Sequence, residues 1–170
     1  MTRFSKYVLI LLAICLFISC EEDEDNSIPV TTSVNTGNQK DEFWLGSGDM
    51  KCNPIAKRYI AALNKVEVVT ERCNNENSNP RFIFIFGKPY LEAGSYAVTQ
   101  ELSANLSAFE VKVDLLNYDS KNYVGNVGFV SVSRSSSDSS EFKLGFSQLN
   151  LYSNTDRMNY KLTGQFTKIR

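Results

Sequence analysis

Period-two alternation constrains this chain more than any other feature of its sequence. Across residues 109–115, Phe109, Val111, Val113 and Leu115 alternate with Glu110, Lys112 and Asp114, the pattern of a strand with one side on a core and the other in water. Phe142, Leu144 and Phe146 alternate with Glu141, Lys143 and Gly145, and Tyr160, Leu162 and Phe166 continue the rhythm around Gly164. These segments predict antiparallel strands with one wet face. FIFIF, residues 82–86, is apolar at every position and bounded by Pro80 and Gly87, which predicts a central strand covered on both sides.

Further strands are predicted at 66–72, 95–99, 123–133 and 149–152. Between them lie NNENSNP at 74–80, YDSKN at 118–122, RSSSDSS at 134–140 and SNTDR at 153–157, all rich in the Asn, Asp and Ser that favour turns. Short strands at this spacing predict an all-β fold, an antiparallel sandwich or small barrel of about 8 to 9 strands. One segment admits two readings. Asn53 and Pro54 can start a helix that puts Ile55, Tyr59, Ala62, Leu63 and Val66 on one face, or 58–63 can be a strand that turns at Asn64 and Lys65. At most one short helix, near 54–63, belongs to this fold.

The N-terminus has a different grammar. Arg3 and Lys6 precede an apolar run from Tyr7 to Ile18, then Ser19 and Cys20. The run is shorter than the roughly 20 residues a spanning helix needs and has the form of a secretion signal. LFISC, residues 16–20, resembles a bacterial lipobox, which implies cleavage before Cys20 and acylation of that cysteine. The next residues, Glu21, Glu22, Asp23, Glu24 and Asp25, resemble the acidic export signal of Bacteroidetes surface lipoproteins in a version without lysine. Residues 26–40, NSIPVTTSVNTGNQK, are polar and aperiodic, as a tether is. The expected organisation is a cleaved signal at 1–19, a lipidated cysteine with acidic segment and tether at 20–41, and a single β domain at 42–170. GKPYLEAGSYAVT at 87–99 and LTGQF at 162–166 are similar to patterns in small uncharacterised β-rich lipoproteins of Bacteroidetes, for which no activity carries over.

Charge narrows the partners. The chain has 18 Lys and Arg against 19 Asp and Glu. Without the signal and the acidic run, 16 basic and 14 acidic residues remain, a formal charge of plus 2 for the body. A nearly neutral domain has no electrostatic footprint for nucleic acid. The chain has no His, which removes the commonest general base and metal ligand. GSGD at 46–49 lacks the strand-loop-helix context and the GK[ST] of a nucleotide loop and reads as a turn. Asp114, Asn117, Asp119 and Asn122 offer oxygens but not the spacing of a calcium loop. No pair among Glu92, Glu101, Glu110 and Asp114 is placed across a cleft by its spacing, and no SxxK motif occurs. The chain is therefore expected to be no enzyme and to need no cofactor or metal.

Two of the four cysteines remain in the exported body, Cys52 and Cys73. An even pair in an oxidising compartment is expected to form a disulfide, closing a loop of about 20 residues. The aromatic residues are the remaining reserve for function. Trp44, Tyr118, Tyr123 and Tyr152 are the candidate binding aromatics, placed at strand ends or turns where rings can act as platforms, although most such rings plug a core. The expectation is a non-catalytic lipid-anchored binding or accessory protein of the outer membrane, exposed at the cell surface. Its expected partners are the membrane, through the acyl chains on Cys20, and an outer-membrane protein or an extracellular polymer such as a glycan. The alternative is a calycin-like barrel carrying a small hydrophobic ligand.

Overall fold

A computed structural model describes residues 41–46, 52–72, 78–88, 90–101, 103–136 and 138–170, all within the compact unit Thr36–Arg170. The fold is all-β. Its strands are β1 (Glu42–Leu45), β2 (Pro54–Ile60), β3 (Lys65–Thr70), β4 (Arg81–Phe86), β5 (Gly94–Val98), β6 (Glu110–Tyr118), β7 (Lys121–Arg134), β8 (Phe142–Ser153) and β9 (Met158–Ile169). They form one nine-stranded curled sheet in the order β1-β9-β8-β7-β5-β6-β4-β3-β2, with β6 also paired to β7. All pairings are antiparallel except β5 with β6.

The sheet curls until its edge strands approach. The Tyr59 N–H of β2 donates to the Arg170 carbonyl beyond β9 at 2.6 Å. Lys57 Nζ meets Asp41 Oδ2 at 2.5 Å and also donates to the Thr167 carbonyl, while the Thr167 N–H donates to Asp41 Oδ1 at 2.6 Å. Curvature comes from bulges. In β8 the register with β9 shifts between Phe146 and Leu149, where Gln148 adopts φ 56°. The two strands expected at 141–146 and 149–152 are thus one bent strand.

Phe82, Phe84 and Phe86 point inward, joined by Phe43, Phe146 and Phe166. Phe43 and Phe82 meet edge to face with centroids 4.7 Å apart, as do Phe82 and Phe166 at 5.1 Å, while Phe146 and Phe166 are tilted at 5.4 Å. Edge contact suits the ring quadrupole and adds to area burial. Ile83 and Ile85, on the other side of β4, are only half-buried, so this strand is dry on one face rather than two. Phe109 also departs from expectation. It sits in the turn before β6, 61% exposed, with Lys88 Nζ 4.2 Å from its ring centroid.

The ambiguous segment is a strand along 54–60, followed by a 3₁₀ turn at Ala61–Leu63. A second 3₁₀ turn lies at Ser103–Asn105. The extended form lets β2 pair along β3 and pack the Tyr59 ring on Phe142 at 5.7 Å. Asn64 takes the left-handed turn at φ 43°, accepts from Tyr59 Oη at 2.9 Å and donates to the Phe86 carbonyl at 2.9 Å. A helix over the same residues forfeits the ladder to β3, and tertiary pairing overrides the local cap signal.

Candidate functional site

The sheet divides at a fork. β6 and β7 pair from Asp114 and Val124 to Tyr118 and Lys121. In the other direction they separate and β5 fits between them. The point of division needs a residue without a side chain: a Cβ on Gly125 lies 2.7 Å from Val98 Cγ1 and 3.1 Å from Val113 Cβ. β5 ends there, with the Thr99 N–H donating to the Val111 carbonyl at 3.1 Å, and the chain leaves the sheet at Gln100.

Three side-chain amides cross the sheet from that exit. Gln100 Nε2 donates to Asn126 Oδ1 at 3.0 Å, and Asn126 Nδ2 donates to Asn159 Oδ1 at 3.2 Å. Asn126 lies within the register shift between Gly125 and Val127. Gln100 and Asn159 are exposed and Asn126 is half-buried. A primary amide has two donors and two acceptor lone pairs, so each member keeps hydrogen-bonding capacity beyond the bonds within the row.

Apolar and aromatic groups flank the amides. Leu149, Leu151 and Ser153 are buried, which turns Asn150 and Tyr152 to the outer face of β8. Tyr152 pairs in register with Asn159 on one side and Val124 on the other, and Asn150 pairs with Val127. Val127 is 55% and Phe129 49% exposed, and Phe129 lies opposite Ser147. From the Ser147 position to Tyr152, across the bulge at Gln148, is at most about 16 Å along β8, at roughly 3.3 Å per residue. Trp44 shares this face: Phe43 and Leu45 are buried, and Trp44 is half-buried opposite Thr163 of β9.

The other two candidate aromatics are elsewhere. Tyr118 and Tyr123 are 4% and 2% exposed, so their rings close one end of the core and are not platforms. Tyr123 lies 6.1 Å from Tyr118 and 5.4 Å from Tyr160 between ring centroids. Burial pushes the Tyr123 hydroxyl up to about 12.

Above these rings, Asp156 accepts from Lys121 Nζ at 2.8 Å, from Tyr160 Oη at 2.5 Å and from Ser153 Oγ. Hydrogen bonds from Lys121, Ser153 and Tyr160 hold its carboxyl well below the usual carboxylate range. The same contacts raise Lys121 and Tyr160. A carboxylate of depressed basicity and an ammonium held charged are poor proton acceptor and nucleophile. This constellation ties the β8–β9 turn to the start of β7.

Several other acids are paired or placed in turns. Glu67, 2% exposed on the outer face, meets Arg58 at 2.5 Å and Arg81 at 3.3 Å. Burial works against its charge, but the Arg58 hydrogen bond and the charges of Lys65, Arg58 and Arg81 lower it overall. Asp114 is raised by burial, partly offset by Lys112 at 3.6 Å. It lies between Ile83 and Val124 in register, not on a fully wet face. Glu110 accepts from the Ser107 N–H at 2.7 Å and Glu92 pairs with Lys88 at 2.5 Å. Asn117, Asp119 and Asn122 build the β6–β7 turn: Asn117 and Asp119 have positive φ, and Asn122 Oδ1 accepts from the Asn117 N–H at 3.0 Å. Among the described residues no group of three or more Cys, Asp or Glu is placed to hold a metal ion.

Cys52 is buried at the entry to β2. Cys20, Glu21, Glu22, Asp23, Glu24, Asp25, Cys73 and the 47–49 part of GSGD lie outside the described residues. Among the described residues no helix is long and apolar enough to cross a membrane. Gln100, Asn126 and Asn159 are the site residues that sequence reasoning misses. The one local signal is GNVG at 125–128, where Asn126 interrupts the alternation of β7 between two glycines. Compared with known proteins, the chain matches no family model, no curated protein and no solved structure.

Proposed function

We propose that this chain is a non-catalytic, lipid-anchored binding protein of the outer membrane, displayed at the cell surface in the manner of Bacteroidetes lipoproteins, whose working surface is the outer face of β7, β8 and β9. The observation that carries the binding reading is the row Gln100, Asn126 and Asn159 beside Tyr152. Amides and rings at a sheet surface bind polar partners without chemistry of their own. The packed interior favours this face over the alternative of a calycin-like carrier, because Phe43, Phe82, Phe146 and Phe166 meet one another where an internal ligand would lie. The partner class is an extracellular polymer or an outer-membrane protein.

The anchoring part rests on sequence. LFISC ending at Cys20 supplies the acylated cysteine, and the acids at 21–25 supply the export signal. A Cys52–Cys73 disulfide belongs to the same reading, since it suits an oxidising compartment. Its support is Cys52, which is buried at the entry to β2.

Anchoring and display are tested together by acyl labelling and protease treatment of intact cells. The native chain is expected to take up label and be digested from outside. Cys20→Ala is expected to lose the label, and neutral residues at 21–25 are expected to keep the label but lose external digestion. An unlabelled native chain, or one retained in the cytoplasm, contradicts the proposal.

A further inference from the structure

We infer that the amide row on β7–β9 is a binding site for an uncharged polysaccharide, whose sugar rings stack on Tyr152 and Phe129 while their hydroxyls bond Gln100, Asn126 and Asn159. The inference rests on the binding-protein reading above and names the ligand of that face. Hydroxyls both donate and accept, and so do primary amides. A row of such amides can therefore meet successive hydroxyls in either role, whereas carboxylates only accept and ammonium groups only donate.

Charge points the same way. The three amides and their register neighbours Val124, Val127, Asn150 and Tyr152 carry no charge. Of the carboxylates near the row, Asp156 already accepts from three donors, Asp114 lies beyond Val124, and Glu101, next to Gln100 in the chain, is a single exposed charge at the row's end. Lys161, opposite Asn150, and Arg157, two residues before Asn159, border the row as single cations. A polyanion needs several cations aligned along its path, and this row supplies amides instead.

Shape and rigidity complete the case. Tyr152 lies in register with Asn159, and Phe129 lies at most about 16 Å away along the strand direction, at roughly 3.3 Å per residue, so the two rings sit at opposite ends of the polar patch. Each ring has few rotatable bonds, which keeps the ordering cost of binding low. Asn126 is fixed from both sides, by Gln100 at 3.0 Å and by Asn159 at 3.2 Å. Asn126 and Asn159 are carried by β7 and β9 and Gln100 follows the end of β5, and a site on rigid elements loses less entropy on binding.

The test is affinity electrophoresis of the full mature chain through gels containing dextran, laminarin, galactomannan, xyloglucan or, as the charged comparison, alginate. At least one uncharged polymer is expected to retard the chain, with less effect from alginate. Tyr152→Ala and Asn126→Ala are each expected to weaken that retardation by about tenfold, the scale of one lost ring or hydrogen-bond contact. The exposed positions Asn159 and Phe129 supply further alanine variants if Asn126→Ala fails to fold, and Asn159→Ala is expected to weaken binding with no loss of thermal stability. Retardation by none of the uncharged polymers overturns the inference, as does retardation that folded Tyr152→Ala and Asn159→Ala variants leave unchanged. Failure here leaves acyl labelling and surface digestion as they were, so it is distinguishable from failure of the anchored-protein reading.

Discussion

Asp156 shows how one side chain fixes a turn in this protein. It gathers Lys121 from the start of β7, Ser153 from the end of β8 and Tyr160 from β9. Its folded-state pKa lies below the ordinary carboxylate value, so its contribution to stability is full above that ordinary value and is lost as pH falls below it. Asp156→Asn is expected to lower the urea midpoint at neutral pH and to flatten its decline between about pH 5 and pH 2. Parallel wild-type and variant profiles would remove Asp156 from this role. The sequence reveals only half of the arrangement. SNTDR reads as a turn and places Ser153 and Asp156 together, but Lys121 is 35 residues away from Asp156 and joins them only through strand pairing. The same limit hides the amide row. Gln100, Asn126 and Asn159 are unremarkable polar residues until β5 is placed in the fork. Tyr118 and Tyr123 reverse the lesson: one opens the predicted turn and the other the predicted strand after it, yet inward alternation takes both rings into the core.

Among the elements, β1 depends on one glycine. Gly164 has φ +152°, and a Cβ there collides with the Glu42 carbonyl and with Phe43 Cα at 2.6 Å. Since Gly164 pairs with Phe43, Gly164→Ala is expected to detach β1, expose the Phe43 ring and cost about 1 kcal/mol or more. Hydrogen exchange is the check: fast exchange across 42–45 with β7 and β8 still protected fits this account, and unchanged protection of β1 contradicts it. β1 has four residues, too few for a periodic signal, although Phe43 and Leu45 obey it. The longer strands were legible because their inward residues repeat over many positions. β2 was ambiguous because Ile55, Tyr59 and Leu63 satisfy a helical spacing, and only pairing with β3 decides between the two forms.

On the scale of the whole molecule, stability depends on the aromatic interior and the closure of the curled sheet. Phe166 is fully buried and its ring meets Phe43, Phe82, Phe84 and Phe146. Phe166→Ala is expected to cost about 3 to 5 kcal/mol by urea unfolding, and Phe166→Leu less. With the proposed Cys52–Cys73 bridge, Cys52→Ser and Cys73→Ser are each expected to lose about 3 kcal/mol under oxidising conditions. The double variant then loses no more than either one, because a single bond is removed. An additive loss excludes the bridge. The most direct test of an outer working face over an internal one is isotope-edited spectroscopy of the side-chain amides and ring methines of the mature chain during titration with the polysaccharide that binds it. The account predicts shifts at Gln100, Asn126, Asn159 and Tyr152, with Phe82, Phe84 and Phe166 unmoved. Shifts centred on those interior rings, with the outer amides silent, would contradict it.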